Sequence, residues 1–162
     1  MLTKTQIALQ RVDADFDRMA ELLALVLRAF AYMDGVIDPP SSAKRLTVES
    51  LRNKCAGEIA TVALDAGAIV GCVFLSESSD HFYLGKLAVD PARQGAGIGK
   101  MLMAEAERIA LAAGKPVIEL QTRVELTGNQ SAFARMGFVE TARTAHDGYD
   151  RPTSITLRKA LS

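Results

Sequence analysis

An α/β (α+β) fold is predicted for this chain: a mixed, mostly antiparallel central sheet with one parallel strand pair and helices on both faces. Three observations predict it. The spacing of apolar residues is helical from Phe16 to residue 55 and becomes strand-like from Glu58, where residues 59–64 and 68–75 form two short apolar runs. Those runs are joined by Asp65-Ala66-Gly67, a hairpin signal. A third strand-like run, residues 82–89, is separated from a fourth, residues 117–124, by a helical segment. A strand–helix–strand crossover within one sheet is right-handed and sets its two strands parallel.

Taken in order, residues 5–12, beginning at Thr5, read as a first strand. Asp13 and Asp15 are helix-start residues, and Phe16, Met19, Ala20, Leu23, Val26, Leu27 and Phe30 then form one apolar stripe, ending near Met33. Asp34-Gly35 and Pro39-Pro40-Ser41-Ser42 mark a loop. A weaker helix is expected over 43–55, capped by Ser41 or Ser42. After the three strands of the meander comes a glycine-rich turn, and then a helix ending at Gly114 with Pro116 beyond it. A short helix over 129–136 stops at Gly137. Residues 138–144 and 154–159 are two last strands around a loop. There is no internal repeat and no linker composition, so residues 1–162 are read as a single domain.

Composition excludes some functions. Nineteen basic and nineteen acidic residues balance, which argues against nucleic acid or an anionic membrane as a partner, since both demand a basic footprint. No run has the apolar length of a membrane span, and the first residues lack the apolar core of a signal peptide. Cys55 and Cys72 are too few and too far apart for a disulfide framework or metal site and read as free thiols, so a reduced cytoplasm is the expected location.

The most informative stretch is residues 87–102, LAVDPARQGAGIGKML. Asp90-Pro91 cuts off a short strand, and Gly95, Gly97 and Gly99 follow at every second position. Ile98, Met101, Leu102, Glu105 and Ile109 then fall at helical spacing, a stripe expected to pack into the core. The first N–H groups of such a helix have no intrahelical partner and lie at the positive end of its dipole, and glycines without Cβ atoms let a phosphate approach them. A Walker loop is excluded because Gln94 stands where its first glycine belongs and Met101 follows Gly99-Lys100. A dinucleotide fingerprint from Gly95 is excluded by Lys100 at its third glycine position.

Gln94-Gly95-Ala96-Gly97-Ile98-Gly99 fits a third pattern, Q/R-x-x-G-x-G/A, at every position. Here the chain resembles the GNAT superfamily of N-acetyltransferases. A second segment, Thr127-Gly-Asn-Gln-Ser-Ala-Phe-Ala-Arg-Met-Gly-Phe138, resembles that family's T-x-N-x-A-x-Y-x-x-x-G-F. The element order βααβββαβαββ is also the family's, so the resemblance covers nearly the whole chain. It implies a GNAT-like fold whose parallel strand pair splays, and acetyl-CoA as co-substrate with no metal. The donor would be held by Leu87, Ala88, Val89, Gln94, Gly95, Ala96, Gly97, Ile98, Gly99, Lys100, Asn129 and Phe133, with Arg93 as a weaker phosphate contact. Asn129 is also a possible helix N-cap. A homodimer is a family-level expectation only.

The departure is Phe133, where the family usually has a tyrosine whose hydroxyl protonates the departing thiolate. Phenylalanine keeps the ring and loses the proton. Acetyl transfer by direct attack in a ternary complex also needs a base for the amine, which is mostly protonated near neutral pH. Glu58, Glu77, His81 and His146 are candidates, as is Tyr149 on the loop between the last strands. Tyr83 and Lys86 alternate on the central strand, so one of them is expected to face the acceptor. Tyr32, Asp34 and Asp38 on the opposite loop suggest an acidic site suited to a cationic amine. The expected function is acetyl-CoA-dependent N-acetylation of a primary amine on a small molecule or protein. The alternatives are an acyl-CoA-binding sensor that kept the cradle and lost the chemistry, and a nucleotide-binding domain of another kind.

Overall fold

The chain alternates between segments that can bury one face and segments that can bury two, and its layers follow from that. The computed structural model describes residues 6–161. Its seven-stranded sheet has the order β1-β2-β3-β4-β5-β7-β6, from β1 (Ile7–Arg11), β2 (Ile59–Asp65), β3 (Ala68–Glu77), β4 (Phe82–Val89), β5 (Val117–Arg123), β6 (Val139–Thr144) and β7 (Ser154–Ala160). All pairs are antiparallel except β4 with β5. The predicted mixed sheet with one parallel pair is what forms; Thr5, expected in the first strand, lies outside the described residues. The β2–β3 turn is tight because Ala66 and Gly67 both take positive φ, 51° and 88°, which matches the twist of a two-residue hairpin.

Helices cover both faces. On one lie α1 (Met19–Phe30) and α2 (Val48–Gly57), where Leu22, Leu25, Val26 and Leu51 pack against Val62, Cys72, Phe74 and Ala88. On the other lies α3 (Ile98–Ala112), whose Ile98, Leu102, Met103 and Ala106 pack against Val73, Leu75, Phe82, Leu84, Ile118 and Leu120. Each fully buried Leu or Phe stabilises by about 1.5–3 kcal/mol. The fit is close: a Cβ on Gly71 of β3 would stand 3.0 Å from both Ile98 Cγ2 and Leu102 Cδ1.

Three helix predictions need correction. In α1 the buried face is Met19, Leu22, Leu25, Val26 and Ala29, while Ala20 and Leu27 of the expected stripe face solvent. The helix is apolar around most of its circumference, so spacing alone offered two stripes. Asp13 and Asp15 do not cap it; Asp13 accepts the Asp15 N–H at 2.9 Å in a turn ahead of it. The expected helix over 43–55 is broken. Ser41 caps a 3-10 turn, Ser42–Arg45, and Thr47 opens α2 afresh through a capping box with Ser50. In α3, Met101 is 36% exposed, and Met103 fills the core in its place.

Candidate active site

β4 and β5 pair for only three residues, Phe82–Leu84 with Ile118–Leu120. Beyond Leu84 the strands part. Lys86–Val89 then pairs only with β3 and Gln121–Arg123 only with β7, so their facing edges carry backbone groups free to pair with a ligand. The gap is a cleft of about 900 Å³. Its walls include β4 from Tyr83 to Val89, Gln121–Arg123, the loop after α1, helix α4 (Thr127–Arg135) and the β6–β7 loop.

A bulge shapes one wall. Phe74 pairs with Lys86 and Leu75 with Leu84, which leaves Gly85 as an extra residue on β4. The extra residue reverses the alternation that separated Tyr83 from Lys86, and both line the cleft. Burial is the main cause that holds the Tyr83 hydroxyl above its ordinary pKa, with Glu119 and Glu58 adding to it. Burial, then the charge of Lys54, holds the Lys86 ammonium below its own.

At one end of the cleft is the glycine-rich turn. Asp90 ends β4 by accepting the Ala92 N–H at 3.0 Å and pairing with Arg28 at 3.1 Å. Gly95 and Gly97 take φ of 87° and 81°, which only glycine adopts without strain, and a Cβ on either would meet nothing within 4 Å. The first helical bond runs from the Met101 N–H to the Gly97 carbonyl, so the amides of Ile98, Gly99 and Lys100 lie in the unpaired first turn of α3. Open glycine faces and a helix N-terminus together fit a pyrophosphate. Leu87, Ala88, Val89 and Gln94 line the cleft. Gly95, Ala96, Gly97, Gly99 and Lys100, which follow Gln94 in the chain, are not among the lining residues; Lys100 is exposed, and the Ile98 side chain is buried in the core. Arg93, a possible phosphate contact, is paired instead with Asp65 of the hairpin.

Asn129 and Phe133 lie one turn apart on α4 and both line the cleft. The helix starts at Thr127, so Asn129 is no N-cap. Its side-chain amide instead donates to the Tyr32 hydroxyl at 3.0 Å across the cleft. Phe133 packs edge-on against Phe138 at 5.8 Å.

The acid–base candidates separate. His146 lines the cleft, with Nδ1 against the Thr153 hydroxyl and its backbone N–H donating to that oxygen at 2.9 Å. Tyr149 lines it too, and donates its hydroxyl to Asp38 at 2.6 Å, the main cause that raises the phenol's pKa. Glu77 sits far off, exposed at the end of β3 and 3.6 Å from Lys115. His81 is paired with Asp80 at 2.8 Å, and Glu58 with Lys54 at 2.5 Å; neither lines the cleft. The acidic character expected of the loop after α1 is also spent elsewhere: Asp34 pairs with Lys44 at 3.2 Å, and Asp38 with Tyr149 and Arg151.

Sequence reasoning missed Arg45, Gln121 and Arg123 of the lining. For the last two a signal existed, since Gln121-Thr122-Arg123 is an unbroken polar run at the end of the strand. Arg45 had none. Among the described residues no three His, Cys, Asp or Glu side chains gather as a metal site, and no helix is long and apolar enough to cross a membrane.

A splayed parallel pair that opens beside a glycine-rich helix start defines a transferase of the kind that draws its acyl group from a coenzyme A thioester. The model of the acetyltransferase (GNAT) family matches residues 23–138, and the chain belongs to that family. It is an acetyl-CoA-dependent N-acetyltransferase. Solved structures share the fold at low identity. The PaiA N-acetyltransferase of Thermoplasma acidophilum, in complex with coenzyme A, is 17% identical with a TM-score of 0.78, over 96% of this chain and 99% of that one. The ribosomal-protein-S18-alanine N-acetyltransferase of Escherichia coli is 18% identical with a TM-score of 0.74, over 97% and 95%. No curated protein sequence matches.

Proposed function

We propose that the amine attacks directly in a ternary complex inside the β4–β5 cleft, with Gln94–Lys100 holding the donor's phosphates and the free edge of β4 holding its arm. The opening of the parallel pair after Leu84 is the observation that carries this reading. Acetyl-CoA supplies an already activated thioester. The C–N bond forms as the amine attacks the acetyl carbonyl carbon, the C–S bond breaks, and the amine's proton and the thiolate's charge must both be settled. A backbone N–H of the unpaired Gly85–Val89 edge stabilises the developing oxyanion.

His146 is assigned as the proton acceptor. Thr153 orients the ring through Nδ1, which leaves Nε2 free, and imidazole is the side chain suited to proton exchange near neutral pH. Tyr32 is assigned the proton that Phe133 lacks. Its oxygen already accepts a bond from Asn129, which lies one helical turn from Phe133, so its own O–H is left to donate. Neither cysteine competes as a nucleophile: burial pushes the Cys72 thiol up to about 12 and the Cys55 thiol up to about 11, and neither lines the cleft.

Free-thiol release from acetyl-CoA over a panel of small amines and peptides, measured beside acetyl-CoA affinity, tests the proposal. Saturable release that depends on the amine, with initial rates requiring both substrates together, is expected. Release that continues without an amine after an acetyl group has become attached to the protein would overturn direct attack. Tight binding with no release would favour the sensor.

A further inference from the structure

The acceptor end of the cleft holds cations that form no ion pair among the described residues. Lys86 is half-buried on the wall made by the Gly85 bulge, with its ammonium 5.9 Å from the centre of the Phe30 ring. Glu58, the acid whose charge reaches Lys86, pairs one oxygen with Lys54 at 2.5 Å, so it arrives with a cation of its own. Arg45, exposed on the 3-10 turn, also lines the cleft and forms no ion pair among the described residues. Arg123, on the opposite wall, is held by the carbonyls of Pro39 and Pro40 at 2.6 and 3.3 Å; the charges of Glu125 and Asp38 reach it, but neither forms an ion pair with it. Against these, the lining offers one carboxylate, the exposed Asp147; Asp38 lies outside the lining and is occupied by Tyr149 and Arg151.

A cation removed from water without a counter-ion raises the energy of the free protein, and a ligand that brings the counter-charge recovers that cost. The aromatic face of Phe30 offsets only part of it. We propose that the acceptor is an amine that also carries an anionic group, carboxylate or phosphate, which pairs with Lys86 while the amine reaches toward the splayed β4 edge. This rests on the acetyl-transfer reading for where the acceptor sits, and it reverses the cationic preference inferred from Tyr32, Asp34 and Asp38.

The test is calorimetric binding of matched amines to the coenzyme A-loaded protein, with thiol release from acetyl-CoA followed on the same panel. β-Alanine and O-phosphoethanolamine are compared with ethanolamine, and lysine with cadaverine. The anionic member of each pair is expected to bind about 10- to 100-fold more tightly; the larger ratio of the first two identifies carboxylate or phosphate. Lys86→Gln should abolish most of that preference and Lys86→Arg retain it, with thermal midpoints reporting whether each variant folds. Equal or tighter binding of ethanolamine and cadaverine, or a preference that survives Lys86→Gln, would overturn the proposal. Absence of thiol release from every amine would sink the transfer reading instead, and the binding ratios would still decide this one.

Discussion

Replacing Gly97 by alanine separates the cradle's structural role from its binding role. Gly97 has a φ of 81°, and a Cβ there meets nothing within 4 Å. The free protein therefore suffers only backbone strain, about 1–2 kcal/mol for a non-glycine residue in the left-handed region. For a chain of this size that lowers the thermal midpoint by roughly 2–8 °C. With the donor present, the new methyl stands on the open face where a phosphate must approach. Losing one hydrogen bond to a charged group costs about 1.5–3 kcal/mol, which is about a 10- to 150-fold rise in Kd. Gly114, beyond the other end of α3, is the control: its φ is 74° and its Cβ space is equally empty. Gly114→Ala should therefore lose similar stability and no affinity. Acetyl-CoA titration calorimetry and thermal denaturation of the two variants decide the matter. Equal affinities for Gly97→Ala and Gly114→Ala would refute the reasoning, whatever their midpoints.

Four further outcomes are expected. Tyr32→Phe should lower amine-dependent thiol release by about 10²-fold or more, as loss of a general acid does, and Phe133→Tyr in that background should recover much of it; an unchanged rate for Tyr32→Phe removes that residue from the chemistry. Gly71→Ala should destabilise by about 1–3 kcal/mol in urea unfolding, because its Cβ would press on Ile98, Leu102 and, at 3.1 Å, the Ala88 carbonyl. Iodoacetamide at neutral pH should leave Cys55 and Cys72 unmodified in the native protein and label both in denaturant, since burial holds both thiols protonated. The Ala92 N–H, with Arg28 adding to it, holds the Asp90 carboxyl below its ordinary value of 3.8. The folded state thus binds that proton less well than the unfolded state, and the stabilisation is present above 3.8 and lost as pH falls below it. Asp90→Asn should flatten that acid limb in pH-dependent unfolding.

What was legible in the sequence was local. The Gln94–Gly99 turn, the Asp65-Ala66-Gly67 hairpin and the Gly137 stop are written in adjacent residues whose backbone needs are strict, and the structure has a turn, a hairpin and a helix end there. The meander and the parallel pair followed from the connections between their strands. What escaped was decided by partners distant in sequence. Which face of α1 is buried depends on where the sheet lies, because Leu23 and Leu27 are as apolar as Leu22 and Leu25. Tyr83 and Lys86 share a wall only because of the Gly85 bulge, which has no marker beyond a glycine. Asn129 reads as a cap until Tyr32, 97 residues earlier, supplies it with a partner. The charge of the acceptor end also depended on ion pairing: Asp34 and Asp38 looked free in the sequence and are occupied in the fold.

The central claim is that the amides of the glycine-rich turn hold the donor's phosphates. Amide N–H resonances followed by heteronuclear NMR during an acetyl-CoA titration test it most directly. The account predicts the largest shifts, and slowed hydrogen exchange, at residues 94–100 and along Gly85–Val89, with the Ala66-Gly67 turn unmoved. Saturable binding that leaves the residues 94–100 amides unshifted would contradict it.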